Sequence, residues 1–267
     1  MRASRTLAIV LRQFYLLRGS PTRLLPMVAW VAIDIVLWGF ITRYLSAFTG
    51  PRINLVASIL GAVLLWDFLG RVMQGVTTAF FEDVWSRNFL NIFATPLTIA
   101  DYLGGLVLTG IGTSLLGLVV MLGLASTVFG LSFLSYGAAI APFLLVLFVT
   151  GISLGVLGAA IVLRLGPASE WLIWPIPSLL SPFAGVFYPL STLPGWMQAV
   201  GRALPPSYVF DAMRGIVAGH PARPQTLAFA VGLSLLYLLL ACWAFAAVYR
   251  YAIRTGLIAR YSAETAG

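Results

Sequence analysis

The chain has 267 residues, of which 60% are hydrophobic and 9% charged. A soluble domain carries about 25% charged residues, so this composition excludes a soluble enzyme or binding module and points to an all-α, polytopic membrane protein. The formal net charge is +8 and every one of the 16 basic residues is arginine, scattered at the ends of apolar runs with no polar domain to gather them, which excludes nucleic-acid binding.

In chain order, residues 5–18 come first. Leu7, Val10, Leu11, Phe14 and Leu17 recur at helical spacing while Arg5, Arg12 and Gln13 lie off that stripe. A basic amphipathic helix lying in the membrane interface is expected. A secretory signal is the competing reading, but Arg12 interrupts the apolar run and no small-residue cleavage site follows. A membrane span needs about 20 apolar residues. The candidate runs are 24–45, 54–69, 103–129, 136–163, 171–188 and 227–249, so six transmembrane helices are expected.

Between the fifth and sixth runs, residues 193–204 are apolar but too short to cross. Irregular backbone at membrane depth persists only where protein or a water-filled cavity satisfies it. The expectation is therefore a re-entrant helical hairpin that acts as a gate. Pro189, Pro194 and Pro205 would fix its bend, and Phe187, Tyr188 and Trp196 would fill it.

Arginine bias sets the orientation. With the N-terminus inside, the cytoplasmic segments hold Arg2, Arg5, Arg12, Arg18, Arg23, Arg87, Arg164, Arg250, Arg254 and Arg260. The outer segments hold Arg43, Arg52, Arg202, Arg214 and Arg223, and Arg71 beside the second span is not assigned. Ten against five puts both termini in the cytoplasm and the gate outside.

Polar groups inside the spans are few. Asp67 and Arg71 are four apart and can pair on one helical face. Asp34, midway along the first span, has no such partner, so it is expected at an interhelical contact or a cavity. In the loop after the second span, Phe80, Val84, Phe89 and Ile92 suggest another amphipathic helix that Pro96 ends. It either rests on lipid or docks a cytoplasmic partner, and the spacing leaves both open. Gly151, Gly155 and Ala159 repeat every four residues along the fourth span, as in close helix packing.

Cys242 and His220 are the single cysteine and histidine, so neither an internal disulfide nor a His/Cys metal site is expected. No G-x-x-x-x-G-K-[ST] phosphate loop occurs, and no H-E-x-x-H or G-x-S-x-G appears in the loops. The chain is expected to be no enzyme, with any energy supplied by another subunit.

The order of these features resembles one family. Pro96-Leu97 stands shortly before Tyr102-Leu103-Gly104, and Tyr188-Pro189-Leu190, Leu193-Pro194, Leu204-Pro205 and Arg214 follow the fifth span. Together with the amphipathic start and six spans, the chain resembles the permease subunits of type-2 ABC exporters, which move O-antigen, teichoic acid, nodulation factors and drugs. The resemblance covers residues 1–267 as one transmembrane domain: an interface helix at 1–23, a six-span core at 24–250 and a cytoplasmic tail at 251–267.

The resemblance implies a dimer of permease copies in the bacterial cytoplasmic membrane. Each copy would be docked on a cytoplasmic ATPase subunit, two in all, that binds ATP and Mg while this chain binds no cofactor. It implies a coupling helix over 82–95, with Glu82, Asp83, Arg87, Asn88, Phe89 and Pro96 at the docking surface. The segment 189–206 would seal the outer end, and the first and fifth spans would line the pathway near Asp34. The cargo would be an amphipathic, lipid-linked glycan or drug-like molecule. The other reading of the residues is a membrane scaffold or lipid-modifying enzyme working without an ATPase.

Overall fold

The computed structural model describes residues 3–19, 21–49, 56–86, 91–92, 95–131 and 133–257. Among these there is no strand, and nine α-helices follow in order: α1 (Ala3–Arg18), α2 (Pro21–Thr49), α3 (Gly61–Trp85), α4 (Ile99–Phe129), α5 (Ile140–Leu165), α6 (Ile176–Ala184), α7 (Gly195–Ala203), α8 (Pro205–Val217) and α9 (Pro224–Arg254). A π-helical turn, Val56–Leu60, leads into α3.

Among the described residues, four helical stretches are long and apolar enough to cross a membrane: Ser58–Trp85, Ile99–Phe129, Tyr136–Leu165 and Pro224–Arg254. They answer to the second, third, fourth and sixth expected spans, and the protein is multi-pass by helix composition. The first expected span lies within the 29 residues of α2.

Two expectations need correction. The second span does not stop at residue 69, because α3 runs unbroken to Trp85. Two of its polar residues are absorbed inside the bundle. Arg71 pairs with Asp67 at 2.6 Å, and the Thr77 hydroxyl donates to the Met73 carbonyl at 3.1 Å. Phe80 and Val84 are buried core residues of this helix, so they do not form a lipid-facing stripe.

The fifth span is the second correction, since residues 171–188 are not one helix. A 3-10 turn, Pro167–Leu172, leads to the nine-residue α6, which stops at Gly185 with φ +63°. Pro175, Pro177 and Pro182 explain the break: each removes a backbone donor and disfavours a continuous ladder.

The long helices pack in the order α2, α4, α3, α5, α9, with α1 laid across α4 and α8 against α5 and α9. The contact between α3 and α5 is set by the small residues singled out in the sequence. A Cβ added at Gly151 would sit 2.7 Å from the Val72 Cβ and 2.8 Å from the Leu69 carbonyl oxygen. One at Gly155 would sit 2.9 Å from the Met73 carbonyl oxygen. Backbone cannot swing aside, so Gly151→Ala is expected to destabilise by about 1–3 kcal/mol. Gly232→Ala on α9, where nothing lies within 4 Å, gains helix propensity without that clash. Thermal unfolding in detergent should therefore move in opposite directions for the two variants; a shared direction would remove the contact as the cause.

Candidate functional site

Three polar assemblies stand out in this apolar bundle. The first lies midway along α2 and α3. The Arg71 Nε donates to Asp67 Oδ2 at 2.8 Å, and Arg71 Nη2 lies 3.9 Å from Asp34 Oδ2 on α2. The expected Asp67–Arg71 pair is present, and of the two expectations for Asp34 the interhelical contact is the one found. Side-chain exposure rises from 13% at Arg71 through 23% at Asp67 to 38% at Asp34. The cluster thus opens toward one face of α2, whose Trp30, Ile33, Leu37 and Phe40 are also exposed.

The second assembly is a clamp that holds α1. Its apolar stripe does face outward, with Leu7, Leu11 and Phe14 exposed. Its polar side, however, is turned into the protein. Arg12 donates to and pairs with Asp83 at the end of α3, and the Tyr102 hydroxyl donates to the other Asp83 oxygen at 2.8 Å. The Gln13 amide donates to the Ala79 carbonyl at 3.2 Å, and Arg5 lies 4.0 Å from Asp101. Asp101 also closes the capping box that starts α4, where its backbone N–H donates to the Thr98 hydroxyl oxygen at 3.2 Å. Ile9 packs against Gly105, where a Cβ would fall 2.5 Å from it.

At the same end, the Trp85 indole donates to Glu170 at 2.8 Å. Arg164 lies 3.7 Å over the Tyr251 ring, a cation–π contact. The ends of α3, α5 and α9 are therefore gathered with α1 into one polar layer.

This layer redistributes the expected docking residues. Asp83 is wholly buried and spent on Arg12 and Tyr102, so its carboxylate faces inward. Glu82 sits beside it in the last turn of α3, part-exposed. Pro96 is exposed at the bend before α4. Arg87, Asn88 and Phe89 lie outside the described residues.

The third assembly closes the opposite end. The Arg214 Nη1 of α8 donates to the Gly185 carbonyl at 2.6 Å, capping the broken α6 from a helix 29 residues away. Asp211 is 3.9 Å from Arg214 Nη2. Burial lowers the Arg214 pKa from its ordinary value and Asp211 opposes that shift. The Tyr188 hydroxyl donates to the Pro182 carbonyl at 2.9 Å, using the acceptor that a proline-broken helix leaves open. Phe187 stacks on Trp38 of α2 at 5.5 Å and 17°, and Trp196 meets Phe183 edge-on at 6.0 Å.

Prolines punctuate the same segment. Pro189 and Pro194 precede the 3-10 turn Leu190–Thr192 and α7, and buried Pro205 opens α8. At Gly201 a Cβ would lie 2.5 Å from the Phe183 carbonyl oxygen, so α7 crosses α6 at backbone contact. The Tyr237 hydroxyl donates to the Ala203 carbonyl at 2.8 Å, which sets the α7–α8 elbow beside the middle of α9, about 20 Å from that helix's start.

Among the described residues no group of three His, Cys, Asp or Glu side chains is placed to hold a metal ion. Compared with known proteins, the chain matches no family model and no curated protein.

The residues missed from the sequence are Arg12 and Tyr102 as partners of Asp83, Asp101 beside Arg5, and Trp38 under Phe187. None is within a helical turn of its partner, so spacing carried no signal. Arg214 was visible as part of a pattern, but its role at Gly185 was not.

Proposed function

We propose that this chain is the transmembrane permease subunit of an ATP-driven exporter of the type-2 ABC class. The observation that carries the reading is the Asp34–Arg71–Asp67 cluster. Charged groups at mid-membrane depth face protein or a water-filled cavity, yet Asp34 is 38% exposed on a face that the described residues leave uncovered. A second permease copy across α2, with a polar pathway between the copies, would supply that cover.

Two further features support the same reading. The elbow between α7 and α8 lies beside the middle of α9, as a re-entrant outer hairpin would, and Phe187 on Trp38 links it to α2 beside the pathway. At the other end the clamp joins α1, α3 and α4 into one stiff layer. In the proposal this layer is the cytoplasmic side, and two ATPase subunits carrying ATP and Mg push on it. Both termini are then cytoplasmic, in a bacterial inner membrane. The cargo is amphipathic, a lipid-linked glycan or a drug-like molecule. Within the layer Glu82 and the segment after it take the docking role, and Asp83 transmits force to α1.

Affinity purification of the full chain tests this directly, with a stably bound ATPase as the expected result. Glu82→Ala and Arg87→Ala should each lower transport-coupled ATP turnover about five- to tenfold, the size of a modest coupling energy, with the complex still assembled. Recovery of the chain without any ATPase would sink the proposal and favour a scaffold or lipid-modifying enzyme.

A further inference from the structure

A cavity of about 380 Å³ lies between α5 and α9, on the opposite edge of the bundle from Asp34. That volume falls in the range of about 300–1,000 Å³ typical of small-ligand sites. Trp66 and Leu69 of α3 form its back wall, and Leu204, Pro205 and Pro206 of the α7–α8 elbow also line it. Its sides hold Thr150 and Ser153, near the middle of α5. At the mouth stand Leu157, Leu240 and Trp243, all exposed on two helices apolar enough to cross a membrane.

The lining offers almost nothing to a polar ligand. The Thr150 hydroxyl donates to the Val146 carbonyl at 2.7 Å, the Ser153 hydroxyl to the Val149 carbonyl at 2.7 Å, and the Tyr237 hydroxyl to the Ala203 carbonyl at 2.8 Å. All three hydrogens are already used. Water gains no foothold in such a space, since a buried water needs two to four polar partners. An empty void would forfeit the dispersion contacts along its walls. The medium at the mouth, between two spans at mid-depth, is hydrocarbon.

We propose that this cavity is a lateral binding site for one acyl chain of a membrane phospholipid, which enters between α5 and α9 and ends against the α7–α8 elbow. The site stands apart from the permease reading and from the polar face of α2. Because the chain end touches Leu204 and Pro205, an occupied site props the elbow, so the closed end of the bundle is built partly from lipid.

The test uses the full chain in vesicles of phosphatidylethanolamine and phosphatidylglycerol, with a trace of phospholipid carrying a diazirine at its acyl terminus. After irradiation, labelled residues are mapped by mass spectrometry. Leu204 and Leu180, inside the cavity, are expected to label at least as strongly as Val119, which is exposed on α4. Ala244→Phe fills the cavity from α9 and should lower labelling of Leu204 and Leu180 about tenfold while Val119 is unchanged. Ser153→Met fills it from α5 and should do the same, so one poorly folding variant does not decide the matter. Weak labelling of Leu204 in the unaltered chain, or labelling that neither variant reduces, overturns the site.

Discussion

Arg12→Ala is expected to lower the stability of the protein by about 3–5 kcal/mol, the cost of leaving a buried charge without its partner. The asymmetry of the pair sets this size. Asp83 has no exposure and cannot reach water, whereas the Arg12 side chain is 28% exposed and can swing outward. Asp83→Ala therefore costs less, about 1–3 kcal/mol, chiefly because the buried Tyr102 hydroxyl loses its acceptor. The double variant should cost less than the two singles summed, since both remove the same interaction. Arg18→Ala, on the exposed end of α1, is the control and should change little. Unfolding in detergent micelles measures all four; an Arg12→Ala cost no larger than that of Arg18→Ala would show the clamp to be incidental.

Arg214→Ala should loosen the opposite end. The 2.6 Å bond to the Gly185 carbonyl is charge-assisted and part-buried, and such bonds contribute about 1.5–3 kcal/mol. The broken α6 has few other holds on α8, so the loss is local. Hydrogen exchange of the amides over 176–203 is expected to speed up about 10- to 100-fold, with the α3–α5 core unaffected. Lysine at 214 should rescue only in part, because a single ammonium does not reproduce the planar fork. Asp211→Ala should do little, since that carboxylate is 72% exposed and 3.9 Å away. Unchanged exchange in Arg214→Ala, or an equal effect from Asp211→Ala, would remove Arg214 as the cap.

What the sequence made legible depended on distance along the chain. Asp67 and Arg71 share a helical face by spacing alone, and their pair is there. The glycine repeat on α5 likewise told of close packing, though not that α3 was the partner. Asp34 was readable only as an unmet need, which a residue on another helix met. The extent of α3 was obscured because Arg71, Gln74 and Thr77 look like a loop, although Thr77 is buried and Arg71 is paired within the bundle. Prolines at 175, 177 and 182 were in plain view, but the apolar run around them outweighed their effect on the ladder. For α1 the outward stripe was read correctly. Where its polar face turns was not legible, because solvent and a distant aspartate look alike to local sequence.

That distance has a consequence for how the molecule is made. Arg12 leaves the ribosome long before Asp83, which follows 71 residues later, and Tyr102 later still. At about 5–20 residues per second, α1 waits several seconds before its partner exists. Leu7, Leu11 and Phe14 stay exposed even in the docked helix, so docking buries the polar side of α1 and leaves its apolar row outward. Docking of α1 must therefore await both α3 and α4, because Arg12 needs Asp83 and Arg5 needs Asp101.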